Sequence, residues 1–136
     1  DMLNTRNLLQ RKSFHLTSYT CALCAQQCLE TSYHLFWDCP FALSCWDTII
    51  GVRRRSTYIV TNIQLAMEAL PREIALDIVI MGCWNIWTQR NNLIFEHIRP
   101  SVAYWRILLK QDISIACYRL KERKKILLQD RILNKL

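Results

Sequence analysis

Residues 72–98 read REIALDIVIMGCWNIWTQRNNLIFEHI, and this stretch decides the fold class. From Ile74 to Trp87 it is apolar nearly all round, far too long for one strand, with Pro100 just beyond its end to stop a helix. A helix apolar on every side belongs in the middle of a bundle. Its most apolar part, IALDIVIMGCWNIW, falls short of the ~18–20 residues a membrane span needs and contains Asp77 and Asn85. Beyond the break, Ser101 is a candidate N-cap. Val102, Trp105, Leu109, Ile113, Ala116 and Leu120 then recur at three- and four-residue steps. The sequence therefore predicts two long helices, about 72–98 and 101–131, packed antiparallel as a hairpin. Trp84, Trp87 and Trp105 are expected to pack across it. Two Gly and three Pro in 136 residues are too few for a turn-rich β fold.

Upstream the elements are shorter. Asn4 or Thr5 can cap a helix through LNTRNLLQRK, and residues 13–30 look irregular. Thr31 can cap a short helix, Pro40 suits the first turn of the next, and Gly51 suits its end. Residues 52–60 are ambiguous, with the β-branched end a candidate for extended chain. TNIQLAMEAL reads as a helix ended at Pro71.

Chemistry concentrates in CALCAQQCLETSYHLFWDC, residues 21–39. Cys21, Cys24, His34 and Cys39 have the spacing C-x2-C-x9-H-x4-C. A C-x2-C turn aims two thiolates at one ion, and a second pair on or beside a short helix closes a tetrahedron. Three thiolates and one imidazole make a full structural zinc set with no open position for water, which argues against zinc hydrolysis. Cys28 and Cys45 are spare thiols. The competing reading is a set of small buried apolar side chains in a reduced protein. No catalytic triad and no Gly-rich phosphate loop can be drawn, so no enzymatic activity is expected.

The stretch ETSYHLFWDCPFALSCW, with CALC and TRNLLQRK ahead of it, resembles the zinc-binding domain that follows reverse transcriptase in plant LINE-type retrotransposons. Thr5, Arg6, Leu8, Leu9, Cys21, Cys24, Glu30, His34, Leu35, Phe36, Cys39, Pro40, Phe41, Ala42 and Trp46 carry the match. CWNIWTQRNNLIFE resembles an element found downstream in the same reading frames. The resemblance implies zinc on Cys21, Cys24, His34 and Cys39, and an accessory role beside nucleic acid. The chain departs from the family in lacking its usual Trp- and Phe-rich upstream flank. It also holds no Tyr-x-Asp-Asp-like polymerase motif and no nuclease carboxylate set. Asp1 ahead of Met2 fits a fragment of a longer frame, standing alone or recruited to new work.

Charge distribution leaves two functions open. The net charge is +7, yet residues 19–50 carry −3. The positive charge lies in Arg53, Arg54 and Arg55 and in the tail, where Arg119, Lys121, Arg123, Lys124 and Lys125 crowd into seven residues. These are the candidate contacts to RNA or DNA; the tail cluster also reads as a nuclear import signal. Its plainer reading is a solvated helix end suited to the C-terminal dipole. The alternative function is a co-opted protein-interaction module with no nucleic-acid role, or self-association. Its candidate residues are Trp37 and the stripe Leu128, Ile132 and Leu136. For that stripe, packing on the protein's own first helix is the competing reading. Arg90 and Asn91 suggest an ion pair or hydrogen bond inside the bundle.

The expected molecule is mainly α. A small zinc-stabilised N-terminal subdomain (residues 1–50) packs on a C-terminal helical bundle (residues 51–136) as one compact unit. Seven Cys, an odd number, and a polar N-terminus place it inside the cell, in nucleus or cytoplasm.

Overall fold

The computed structural model describes residues 3–51 and 56–136. It is mainly α, with no strand among the described residues. In chain order the elements are α1 (Arg6–Arg11), a π-helical turn (His34–Asp38), α2 (Pro40–Ile50), α3 (Ile59–Glu68), α4 (Ala75–Glu96), α5 (Val102–Cys117), α6 (Glu122–Arg131) and a short 3-10 turn (Leu133–Lys135). No helix among the described residues is long and apolar enough to cross a membrane.

Local chemistry sets most boundaries. Thr5 Oγ1 accepts from the Leu8 amide and Ser101 Oγ from the Tyr104 amide, so both expected caps form. Pro40 opens α2, and Gly51 ends it at φ 71°, where a side chain is disfavoured. Ile59 and Val60, expected as extended chain, instead begin α3 after an extended Tyr58.

α4 and α5 form the antiparallel hairpin. Gln89 clamps its closed end: its Oε1 accepts from the Ser101 amide at 2.7 Å and its Nε2 donates to the Ser101 carbonyl at 2.8 Å. Deeper in, Asn85 Nδ2 donates to Asp112 Oδ2 at 2.8 Å. Ile78, Val79 and Ile86 face the core with Trp105, Leu109 and Ile113.

α4 is not surrounded, as its apolar sequence had suggested. Leu76, Ile80 and Trp84, at four-residue steps, lie more than half exposed. Trp105 packs across the hairpin as expected, and Trp87 lies half-buried under the Arg90 guanidinium; Trp84 faces outward.

The second long helix also differs. It breaks at residues 118–121, where Lys121 is extended, and α6 folds back. A straight helix to residue 131 would run ~20 Å past Cys117 and carry Leu128 and Ile132 into water. Folding back buries both, each gaining roughly 1.5–3 kcal/mol. The tail closes against α2 and α5, with Lys135 Nζ on the Ile49 carbonyl at 3.0 Å and Arg106 on the Leu136 carbonyl at 2.9 Å. It does not lie on the first helix. Leu128 and Ile132 therefore offer no docking stripe, and Leu136 is half-buried against the same core.

An aromatic row joins the N-terminal segment to the hairpin. Trp37 stacks on Trp46 with centroids 5.1 Å apart, and Trp46 meets Trp105 edge-on at 5.9 Å. Two of the indole N–H groups are seen to be satisfied: Trp46 donates to the Phe36 carbonyl and Trp105 to that of Gly82. A Cβ on Gly82 would collide with the Trp46 ring, so a side chain there forces the row apart. Trp37, a candidate partner contact from sequence, is buried in this row because its flat indole completes the stack.

Candidate metal centre

Residues 19–30 form a narrow loop. Thr20 pairs with Leu29, the Cys21 amide donates to the Cys28 carbonyl at 2.8 Å, and the Glu30 amide donates to the Tyr19 carbonyl at 3.0 Å. This cross-bracing presents Cys21 and Cys24 at one end. The opposing pair comes from the π-helical turn. In an α-helix, residues five apart point about 140° away from each other. Here the Cys39 amide donates to the His34 carbonyl at 2.6 Å, a wider i→i+5 turn that brings Cys39 back over His34. Thr31 Oγ1 caps the turn by accepting from the His34 amide.

The ligand atoms of Cys21, Cys24, His34 and Cys39 all lie within 4.8 Å of one another. Cys21 Sγ is 3.9 Å from Cys39 Sγ, and Cys24 Sγ is 3.3 Å from His34 Nε2. A tetrahedron with metal–sulfur bonds of ~2.3 Å has edges of ~3.8 Å, so a metal ion fits this cage with modest adjustment. Cys28 and Cys45 stand apart from the cluster: the Cys28 thiol turns to the Gln26 carbonyl, and Cys45 is buried in α2. All four candidate ligands expected from sequence come together.

The surroundings suit a metal thiolate. Cys39 immediately precedes Pro40 at the start of α2. Its thiol is pulled down to about 6, first by the hydrogen bond from Cys21 and then, against desolvation, by the amides of Phe41 and Ala42. Cys21 is pushed up strongly by that same hydrogen bond and by burial, and Cys24 is pushed up by burial. Backbone amides of Leu23 and Gln26 pull the other way on these two thiols. Asp38 Oδ2 lies 3.3 Å from His34 Nδ1, which orients the ring with Nε2 toward the cage.

Just outside the cage, Glu30 is fully buried beside Arg90. Arg90 donates from its terminal nitrogen to Oε1 at 2.6 Å and from Nε to both oxygens; the Arg6 amide adds another bond at 3.0 Å. Arg6 also donates to the Thr20 carbonyl at 2.8 Å. One carboxylate thus ties α1, the metal loop and α4 together. The ion pair expected at Arg90 is present, with Asn91 accepting from the other terminal nitrogen. Glu30 is among the residues that carry the family resemblance, but nothing in the sequence pairs it with Arg90, sixty residues away. Asp38 has a sequence signal, a carboxylate one turn after a candidate ligand histidine.

The other candidate residues divide. Arg53, Arg54 and Arg55 lie outside the described residues. The 119–125 cluster is not at a helix C-terminus; it spans the α5–α6 corner and the first turn of α6. Arg119 and Lys121 are exposed there. Arg123 pairs with Glu73 at 3.1 Å, Lys124 with Asp77 at 3.9 Å and Lys125 with Glu122 at 3.8 Å.

No protein-family model, no curated protein and no solved structure matches this chain. What the fold and the site define is an all-α protein with a Cys3His cluster able to hold a metal ion.

Proposed function

We propose that the chain is a non-catalytic, zinc-stabilised accessory module that binds nucleic acid, as its resemblance to the plant LINE zinc-binding domain implies. One observation carries the structural half: four protein ligands drawn from two segments converge on one point, leaving no position for water or substrate. Soft sulfur donors with one imidazole suit zinc. When bound, the ion cross-links the 21–24 loop to the start of α2.

The nucleic-acid half rests on the α5–α6 corner. Arg119 and Lys121 are free to meet phosphate. The pairs at Arg123, Lys124 and Lys125 are surface pairs worth ~0–1 kcal/mol, which phosphate can displace. The metal segment is the wrong surface for this work, because residues 19–50 carry a net −3 and Asp38 sits beside the cluster. Two to five phosphate contacts give a log–log salt slope of about −2 to −4. Fluorescence anisotropy with single-stranded RNA and with duplex DNA across a salt series tests this. Arg119→Glu with Lys121→Glu should weaken binding at least ~10-fold at low salt. Binding that is absent at low salt, or flat across the series, contradicts the reading. Of the residues named for the protein-interaction alternative, Trp37, Leu128 and Ile132 are buried within the chain and Leu136 is half-buried.

A further inference from the structure

The side of the hairpin that the core leaves open forms an apolar groove of about 490 Å³ between α4 and α5. Ile80 and Trp84 line one wall, Ile115 and Ala116 the other. Two charged residues also line it, Asp112 and Arg119. They stand seven positions apart, Asp112 on α5 and Arg119 in the turn just past its end, both lining the same groove, with Ile115 and Ala116 midway between them. Asp112 spends one oxygen on Asn85. Arg119 is exposed and has no ion-pair partner among the described residues.

We propose that this groove is a two-fold interface with a second copy of the chain, α5 lying antiparallel to its counterpart. In such a contact residue i meets j and j meets i. An axis through the midpoint of Ile115 and Ala116 carries position 112 onto 119 and 119 onto 112. Each Asp112 then faces the other copy's Arg119, giving two ion pairs, and each Ile115 sits over the small Ala116 opposite. The charge pattern is self-complementary about its own apolar centre, which singles out a second copy over an unrelated helix. A stable dimer needs ~800 Å² from each partner. Trp84 (59 % exposed) supplies roughly 120 Å² at ~200 Å² per aromatic. Ile80 and Ile115, both more than half exposed, add to it. The +7 charge on each copy opposes association, so moderate salt should strengthen it, opposite in sign to phosphate binding.

Sedimentation velocity of the full, metal-loaded chain without nucleic acid tests the proposal. The native chain should dimerise with a Kd in the micromolar range. Arg119→Asp and Asp112→Arg, each alone, set like charges face to face and should raise that Kd at least ~10-fold. An equimolar mixture of the two variants restores both ion pairs and should restore the dimer. A native chain that stays monomeric at about 100 µM, well above a micromolar Kd, overturns the proposal. So does an Arg119→Asp dimer as tight as the native one. Arg119→Asp disturbs no ion pair within the described residues, so it decides the matter even if Asp112→Arg fails to fold for want of the Asn85 bond.

Discussion

Asp38 governs how tightly His34 can hold a metal, because it fixes the ring from the side away from the cage. Asp38→Asn keeps a hydrogen-bonding group but removes the carboxylate that orients the imidazole. Metal affinity should fall about 10–100-fold with little change in helix content, measured by competition against a chromogenic chelator. Glu30 and Arg90 are a different kind of residue, structural and expensive to separate. Glu30→Gln leaves a buried guanidinium without its counter-charge and should cost about 3–5 kcal/mol in denaturant unfolding. Glu30→Gln combined with Arg90→Met should cost markedly less than the two singles added together, since no orphan charge remains. The four ligands were legible in the sequence because their spacing is local. Glu30–Arg90 was half legible: a lone Arg in an apolar helix needs a partner, but sixty residues of chain hide which one. The burial of Trp37 was not legible, because it depends on where Trp46 and Trp105 arrive in space.

The elements near caps and prolines could be read closely from sequence: Thr5, Pro40, Gly51, Pro71 and Ser101 each sit at the boundary they suggested. The break between α5 and α6 could not, since YRLK carries neither Pro nor Gly. It is set by long-range burial, which outweighs a weak local preference for continuing the helix. Leu128→Ala and Ile132→Ala test this directly. Each should destabilise the isolated chain by about 2–5 kcal/mol, as core truncations do. Stability unchanged by either substitution would mean that α6 is not docked on its own core. The open face of α4 is not legible in the sequence either, for a related reason. Periodicity shows that a helix is apolar all round, but not whether the rest of the chain suffices to cover it.

Across the whole molecule, the charges divide by task. The basic α5–α6 corner is suited to phosphate, while the acidic metal segment is suited to a cation. Proton linkage follows from the thiols. At neutral pH Cys39, drawn down to about 6, is already a thiolate, whereas Cys21 and Cys24, both pushed up, keep their protons. Metal binding should therefore release about two protons, and affinity should rise about a hundredfold per pH unit near neutrality. The sign is fixed: acid protonates the sulfur ligands, so the metal-bound fold loses stability as pH falls. Calorimetric titration in buffers of different ionisation enthalpy counts these protons.

The central claim is that residues 21–39 form a zinc centre that ties the 21–24 loop to the start of α2. Native mass spectrometry of the purified chain, beside a Cys39→Ser variant, tests it most directly. The account predicts one zinc per native chain, lost in the variant and stripped by a strong chelator, with melting temperature falling as the zinc leaves. A folded native chain that carries no metal, takes up none when zinc is added, and melts at the same temperature as Cys39→Ser would contradict it.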